Sequence, residues 1–321
     1  MSIKQILKGL MKINVVAIII GLIFGSFSFV PTITAETVYK TLAFDKKIET
    51  QQDFAGGQFD NVAVGQSNGK TVLGAVNGKG GIYISPVVEA PFGATHIGLH
   101  WEEELPEGAD IVVYLRTGGD GENFSEWVQT TVEDDIGPNG FEEEETFAAL
   151  VGTKKANFAQ AKVEFIPGKG VTPIVRSLTL TFLNSAEESE QTVRKLSFAS
   201  RVVAEGVAIP KTSPNGQLIN VISREEWGAD ETLRMDGSEE SWPRSYHGTR
   251  KLVVHHTAGD ASNGEMDLAI NIGTVKNIYY YHAVTRGWGD IGYNALVDAA
   301  GNIYEGRYGT HDAERTEPTA D

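Results

Sequence analysis

Lys251-Leu252-Val253-Val254-His255-His256-Thr257-Ala258-Gly259 opens the stretch on which the reading of this chain turns. Residues 252–254 are apolar, two of them β-branched, and read as a short buried strand that delivers His255 and His256 at its end. A side chain at such a strand end is held by a sheet yet open to a cleft, which suits a metal ligand. Residues 265–282 carry a stripe at Leu268, Ile272, Val275, Tyr279 and His282, whose alternating intervals of four and three fall on one helical face. Gly287 and Gly289 end that helix around Trp288. Residues 293–298 then read as a second strand, residues 299–302 as a turn and residues 303–305 as a third strand. A strand, a helix and a hairpin with His and Tyr near strand ends have the layout of an active site.

Working outward, four motifs recur in order: Ile222-Ser223-Arg224-Glu225-Glu226-Trp227-Gly228-Ala229, His255-His256-Thr257-Ala258, Gly287-Trp288-Gly289-Asp290-Ile291-Gly292-Tyr293-Asn294, and Tyr304-Glu305-Gly306-Arg307. With these the chain resembles peptidoglycan recognition proteins and the zinc N-acetylmuramoyl-L-alanine amidases of the same fold. The resemblance covers roughly residues 220–310. Any one motif is a weak signal, and four in the right order are a strong one.

The resemblance implies a chemistry. Amide hydrolysis at neutral pH needs a strong nucleophile and a place for the oxyanion, and a bound zinc ion supplies both. Catalytic zinc takes three protein ligands and keeps one position open. By resemblance His255 is the first zinc ligand, while His256, on the opposite side of a continuing strand, packs or supports it. Tyr293 matches the tyrosine that hydrogen-bonds the substrate carbonyl or its oxyanion, and would be the catalytic residue; read without the resemblance it is a core tyrosine on an alternating strand. His282 and Trp288 flank the expected groove and contact the muropeptide or serve the fold. Arg307 binds acidic groups of the substrate or fixes the hairpin, and Asp290 braces the turn into Tyr293. In relatives the two remaining ligands, a histidine and a cysteine or aspartate, lie well beyond the Glu-Gly-Arg motif, whereas this sequence stops at Asp321. The chain is therefore expected to be C-terminally truncated relative to a complete amidase, to hold zinc weakly and to show no hydrolysis by itself.

At the other end, Lys4, Lys8 and Lys12 precede an apolar run over residues 13–30, and a small residue, Ala35, follows it. Residues 1–35 read as a signal peptide, with an uncleaved anchor as the alternative, and either places the remainder in the cell envelope or outside it. The formal net charge of −16 argues against a nucleic-acid partner, which calls for a basic stripe. The sequence has no cysteine, so neither disulfides nor thiolate ligands come from it.

Residues 36–184 alternate apolar runs with Gly, Pro, Asn and Asp clusters, at a spacing that suggests a β-sandwich. The Gly- and Asp-rich stretch at 117–127 reads as a structural turn, with a sugar or calcium site as the alternative. His96 and His100 fall on one face of a strand and suggest packing rather than a metal site. Residues 185–219 lose the strand pattern and read as a linker. The expectation is thus a two-domain protein: an N-terminal all-β sandwich, then, from residue 220 to 321, an incomplete α/β amidase domain of mixed sheet and helices. Its function would be amidase action on peptidoglycan in full-length form, and the alternatives are a non-catalytic muropeptide-binding module and a glycan-binding envelope scaffold.

Overall fold

The computed structural model describes residues 40–133, 137–138, 145–186, 211–212, 218–219, 221–246, 250–257 and 266–310. The expected leader and most of the expected linker lie outside these residues. Among the described residues no helix is long and apolar enough to cross a membrane.

One antiparallel sheet of eleven strands dominates. Its strands are β1 (Leu42–Ile48), β2 (Gln58–Asp60), β3 (Val62–Ser67), β4 (Lys70–Ala75), β5 (Gly81–Ile84), β6 (Val88–Glu104), β7 (Asp110–Gly118), β8 (Val128–Gln129), β9 (Thr146–Phe147), β10 (Val151–Ile166) and β11 (Ile174–Asn184). Three long strands carry the topology. The first half of β6 pairs with β10 and its second half with β11, while β10 goes on to lie between β5 and β7. Because these strands run through both walls, the sheet folds over on itself, and it is nearly closed. Its ends approach where Gly81 sits against Asn61 and Val62; a Cβ there would meet the Asn61 carbonyl at 2.5 Å. The expectation of a β-sandwich of two separate sheets is corrected accordingly.

The inside of the roll is apolar, with Leu73, Tyr83, Ile97, Leu99, Trp101, Val163, Phe165, Leu180 and Phe182 buried. A short helix, α1 (Gln51–Ala55), adds Phe54 to this core. It starts at a reciprocal cap between Thr50 and Asp53, which satisfies two amide donors at its first turn.

The second half of β6 is buried on both faces. Ile97, Leu99 and Trp101 point into the roll, whereas His96, Gly98 and His100 point outward and are also buried. Phe147 stacks on His100, and the cover of His96 and Gly98 is the C-terminal segment. It contains strands β12 (Lys211–Thr212), β13 (Leu218–Ile219) and β14 (Val221–Ile222), helix α2 (Arg224–Trp227), a 3-10 turn (Glu231–Arg234), strands β15 (Met235–Asp236) and β16 (Glu239–Glu240), helix α3 (Leu268–Tyr280), and strands β17 (Ala295–Val297) and β18 (Ile303–Glu305). A single wider helical turn, Tyr281–Thr285, extends α3.

The expected α/β amidase domain is not what these residues form. Among the described residues, strands account for 45% and helices for only 15%. The C-terminal sheet has just three strands, β14 parallel to β18 and β17 antiparallel to it, each of two or three residues. Residues 252–254, expected as a buried strand, belong to none of them and are 87%, 75% and 86% exposed. The small sheet does not enclose α3 alone, and the outer face of β6 is its second wall.

Helix α3 shows the consequence. Residues 271–279 are buried on every side rather than along one stripe, as expected of a helix enclosed between two layers. Ile272, Val275, Ile278 and Tyr279 share a core with Ile222, Trp227, Leu296 and Tyr304, and this core also takes in Phe147, Leu150 and Leu183 from the large sheet. At the sheet side, Tyr281 donates its hydroxyl to the Ala148 carbonyl at 2.8 Å and lies over Gly98, where a Cβ would come within 2.5 Å of its ring. Only glycine leaves room for that ring on β6. Asn277 donates to His96 Nδ1 at 2.7 Å and accepts from the Ser185 hydroxyl at 2.8 Å.

Candidate functional site

The site residues named from the sequence come together in one continuous row of rings. The His255 ring meets Tyr293 edge-on at 5.5 Å between centroids, and Tyr293 lies 5.3 Å from His282. His282 lies 4.8 Å from Trp288, which meets Trp242 edge-on at 6.2 Å. The Arg307 guanidinium stacks 3.7 Å over Trp242. Two depths are distinguishable. His255 is exposed and Tyr293, Trp242 and Arg307 are half-buried, whereas His282 and Trp288 lie beneath them, each 1% exposed.

Local chemistry explains each placement. Gly306 passes so close to Tyr293 that a Cβ would fall 2.0 Å from the Tyr293 carbonyl, and the Arg307 N–H donates to that carbonyl at 2.7 Å. The glycine of the Glu-Gly-Arg motif is therefore what lets the hairpin clamp the backbone of Tyr293. The Arg307 side chain donates to the carbonyl of Pro243 at 2.9 Å and so fastens the loop that carries Trp242. Asp290 braces the turn into Tyr293: its carboxylate accepts from the N–H groups of Ile291 and Tyr308 and from Arg224 Nη1 at 3.0 Å. Burial pushes the Asp290 carboxyl above its ordinary range, against the pull of Arg224.

The first motif joins the last in the same way. Ser223 caps α2 reciprocally with Glu226, and Gly228 ends it in the left-handed conformation at φ 75°. Arg224 is then aimed at Asp290, at Glu231 (2.7 Å) and at the Gly306 carbonyl (2.6 Å). Trp227 Nε1 donates to the Glu305 carbonyl at 2.9 Å. These two motifs hold each other and, between them, the backbone that presents Tyr293.

His282 is fixed in one protonation state. Burial above all, and the nearby Arg286 cation, hold its imidazole down at about 3, so it is neutral. Its Nδ1 accepts the Gly292 N–H at 3.1 Å, which leaves the proton on Nε2. Glu133, from the loop after β8, stands 3.9 Å from Nε2 and takes Arg286 Nη1 at 2.6 Å; all three side chains are buried. Arg286 also stacks 4.0 Å over Trp288. Neither Glu133 nor Arg286 was legible as a site residue, since 153 positions separate them and nothing local marks either.

Among the described residues no group of three His, Cys, Asp or Glu side chains is placed to hold a metal ion. These residues alone do not meet the three-ligand requirement of catalytic zinc. His255 has an aromatic neighbour in Tyr293.

No family model matches the chain. It is similar to peptidoglycan-recognition protein SC2 of Drosophila simulans, 37% identical over 89 residues, which is 28% of this chain and 43% of the relative. Peptidoglycan recognition protein 1 of Bos taurus is 35% identical over 105 residues, 32% of this chain and 50% of the relative. Peptidoglycan-recognition protein LE of Drosophila melanogaster is 35% identical over 121 residues, 38% of this chain and 30% of the relative. A solved structure, the C-terminal CBM6 of LamC from Zobellia galactanivorans, aligns with 15% identity and a TM-score of 0.28 over 43% of this chain and 99% of its own. The chain thus spans half or less of the length of these curated relatives, which are named as peptidoglycan recognition proteins.

Proposed function

We propose that this chain is an exported peptidoglycan-binding protein that takes muropeptide at the surface formed by His255, Tyr293, Trp242 and Arg307. The observation that carries the reading is the meeting of His255 and Tyr293, brought ring to ring from separate segments, in a chain similar to proteins named for peptidoglycan recognition. Half-buried rings beside a cation offer apolar contact for sugar faces and a charge for stem carboxylates. In this reading His282 and Trp288 act from beneath, fixing the tilt of Tyr293, and Arg307 both anchors the Trp242 loop and presents positive charge.

A finer reading adds hydrolysis of the N-acetylmuramoyl-L-alanine amide in the intact protein. That reaction calls for zinc at His255 with two further ligands beyond those the described residues bring together, and Tyr293 would donate to the developing oxyanion. A binding-only module, which needs no metal at His255, is the second reading.

Cosedimentation with insoluble peptidoglycan tests the shared core of both readings. The 321-residue chain should pellet with the polymer, and His255→Ala combined with Arg307→Ala should weaken this binding. Failure of the wild-type chain to bind would sink both. Mass spectrometry of digested muropeptides, with zinc added, then separates them. An intact protein that releases the L-alanine-linked stem, and loses about a hundredfold or more in rate on Tyr293→Phe, is the enzyme; one that binds without releasing it is the module.

A further inference from the structure

The Gly- and Asp-rich stretch at 117–127 takes no part in the proposed function, and it folds back on the end of β7. Gly118 bridges Phe124, and the Ser125 N–H donates to the Thr117 carbonyl at 2.8 Å. A Cβ on Gly118 would stand 2.5 Å from the Asn123 carbonyl, so the approach requires glycine. Asp120 closes the turn by accepting from the N–H groups of Glu122 (3.0 Å) and Asn123 (2.8 Å) and from Asn123 Nδ2 (2.9 Å). What this fixed loop delivers is Phe124 and Trp127. The Arg116 guanidinium lies 4.5 Å from the centre of the Trp127 ring and 4.7 Å from that of Phe124. Lys162 Nζ lies 3.7 Å from the Tyr114 ring and 5.7 Å from Trp127.

Tyr114, Arg116 and Lys162 share the outer face of the roll, because they alternate with Val113, Leu115, Ala161 and Val163, which are buried inside it. The cations beneath the rings are themselves held. Arg116 Nε donates to Gln160 Oε1 at 3.0 Å, and Gln160, 4% exposed, donates in turn to the Ser85 carbonyl at 2.8 Å. Lys162 pairs with Glu164 at 2.6 Å. Trp127, Phe124 and Tyr114 nevertheless all keep part of their surface in solvent. Two observations point to what covers them. Trp101 and Trp227 donate their indole N–H groups within the protein, to Glu103 at 2.8 Å and the Glu305 carbonyl at 2.9 Å, whereas Trp127 Nε1 has no acceptor among the described residues. Gln129, in register with Tyr114, adds an exposed amide beside it. The second observation is charge. Asp120, Glu122, Glu126 and Glu164 accompany the two cations, so the surround is acidic and disfavours an anionic ligand. Rings set in place beforehand, with donors at their rim and no spare positive charge, match the flat C–H face and the hydroxyls of a neutral sugar.

We propose that this face of the roll binds a neutral saccharide of gluco-configured pyranose rings, with a sugar face on Trp127 and hydroxyls taking the N–H groups of Trp127 and Gln129. An N-acetylated glycan strand and a plain glucan offer the same chemistry. No residue of the His255–Tyr293 surface takes part, and the test uses sugars that carry no peptide.

Calorimetric titration of the 321-residue chain with chitohexaose and with cellohexaose should give saturable binding of at least one, and their ratio identifies the source. Trp127→Ala should weaken that binding about tenfold or more, and Trp127→Phe, which keeps a ring and loses the N–H, should weaken it less. In the wild-type chain, where folding is not in question, the indole N–H resonance that Trp127→Phe lacks should move on sugar addition. His255→Ala with Arg307→Ala should leave the affinity for these sugars unchanged. Absence of binding, affinity unaltered by Trp127→Ala, an unmoved Trp127 indole resonance, loss of binding in the His255 and Arg307 double variant, or tighter binding of hexagalacturonate would each overturn the proposal.

Discussion

The rolled sheet and the C-terminal segment solve the problem of burial in opposite ways. The roll encloses its own core, with long strands on both walls and apolar side chains inside. The C-terminal segment has short strands and borrows Phe147, Leu150 and Leu183 from the sheet to complete its core. One is self-sufficient in apolar surface and the other is not. The difference teaches that the rings around Tyr293 depend on contacts far from them, above all on how α3 and its last turn sit on β6.

The largest expected effect breaks the charged frame of the C-terminal segment. Arg224→Ala leaves Asp290, which is 3% exposed, without its partner, and truncating one side of such a buried pair costs about 3–5 kcal/mol. Urea unfolding should show this loss, with the fluorescence of Trp227 and Trp288 changing at lower denaturant than that of Trp101. A single coincident transition at the wild-type midpoint would refute the frame. Next comes the contact between the two regions. Tyr281→Ala removes a fully buried ring and should cost about 3 kcal/mol, whereas Tyr281→Phe should lose only about 1 kcal/mol for the bond to Ala148.

Acid should act on the same seam. His96 and His282 are held at about 4 and about 3, chiefly by burial, against an ordinary value of 6.5. Below pH 6.5 the unfolded chain binds protons that the folded chain refuses, so stability falls as pH drops toward these values and is fully present above 6.5. Each histidine adds a slope of about 1.4 kcal/mol per pH unit within its window. Thermal melts from pH 7 to 5 should show the decline, and His282→Gln should flatten it; an unchanged slope would mean the imidazole titrates normally. The smallest effect belongs to the exposed rim of the roll. Lys70 and Glu102 are 3.4 Å apart with side chains 67% and 31% exposed, and Lys70→Ala should shift stability by no more than about 1 kcal/mol in the same melts.

Much of the roll was legible because alternation is a local signal. Of the apolar or β-branched runs that the sequence shows, those at 96–101, 111–116, 161–165 and 177–183 fall within β6, β7, β10 and β11, whereas the run at 82–88 joins the end of β5 to the start of β6. The motifs around His255, Trp288, Tyr293 and Arg307 were visible as well, and the rings they carry do meet. Closure of the roll was not legible, since a strand's sequence does not say that its two halves serve different walls. Residues 252–254 misled for the complementary reason: an apolar run states a preference for burial but cannot supply the neighbour that would bury it. The stripe on α3 was real but incomplete. Gly98 beneath Tyr281 and His96 against Asn277 are pairings across 180 or more residues, and a glycine on a strand gives no hint of which ring it admits.

The absence of a side chain at Gly98 sets a limit on transplantation. Moving the C-terminal segment onto another scaffold would require a receiving strand with a glycine facing outward, a histidine two positions before it and apolar residues facing the other way. A host strand with valine at that point would lift Tyr281, and with it α3 and the turn that carries His282. The portable unit is therefore the segment together with residues 96–101 of the sheet, and a graft that began after residue 186 would leave half of its binding partner behind.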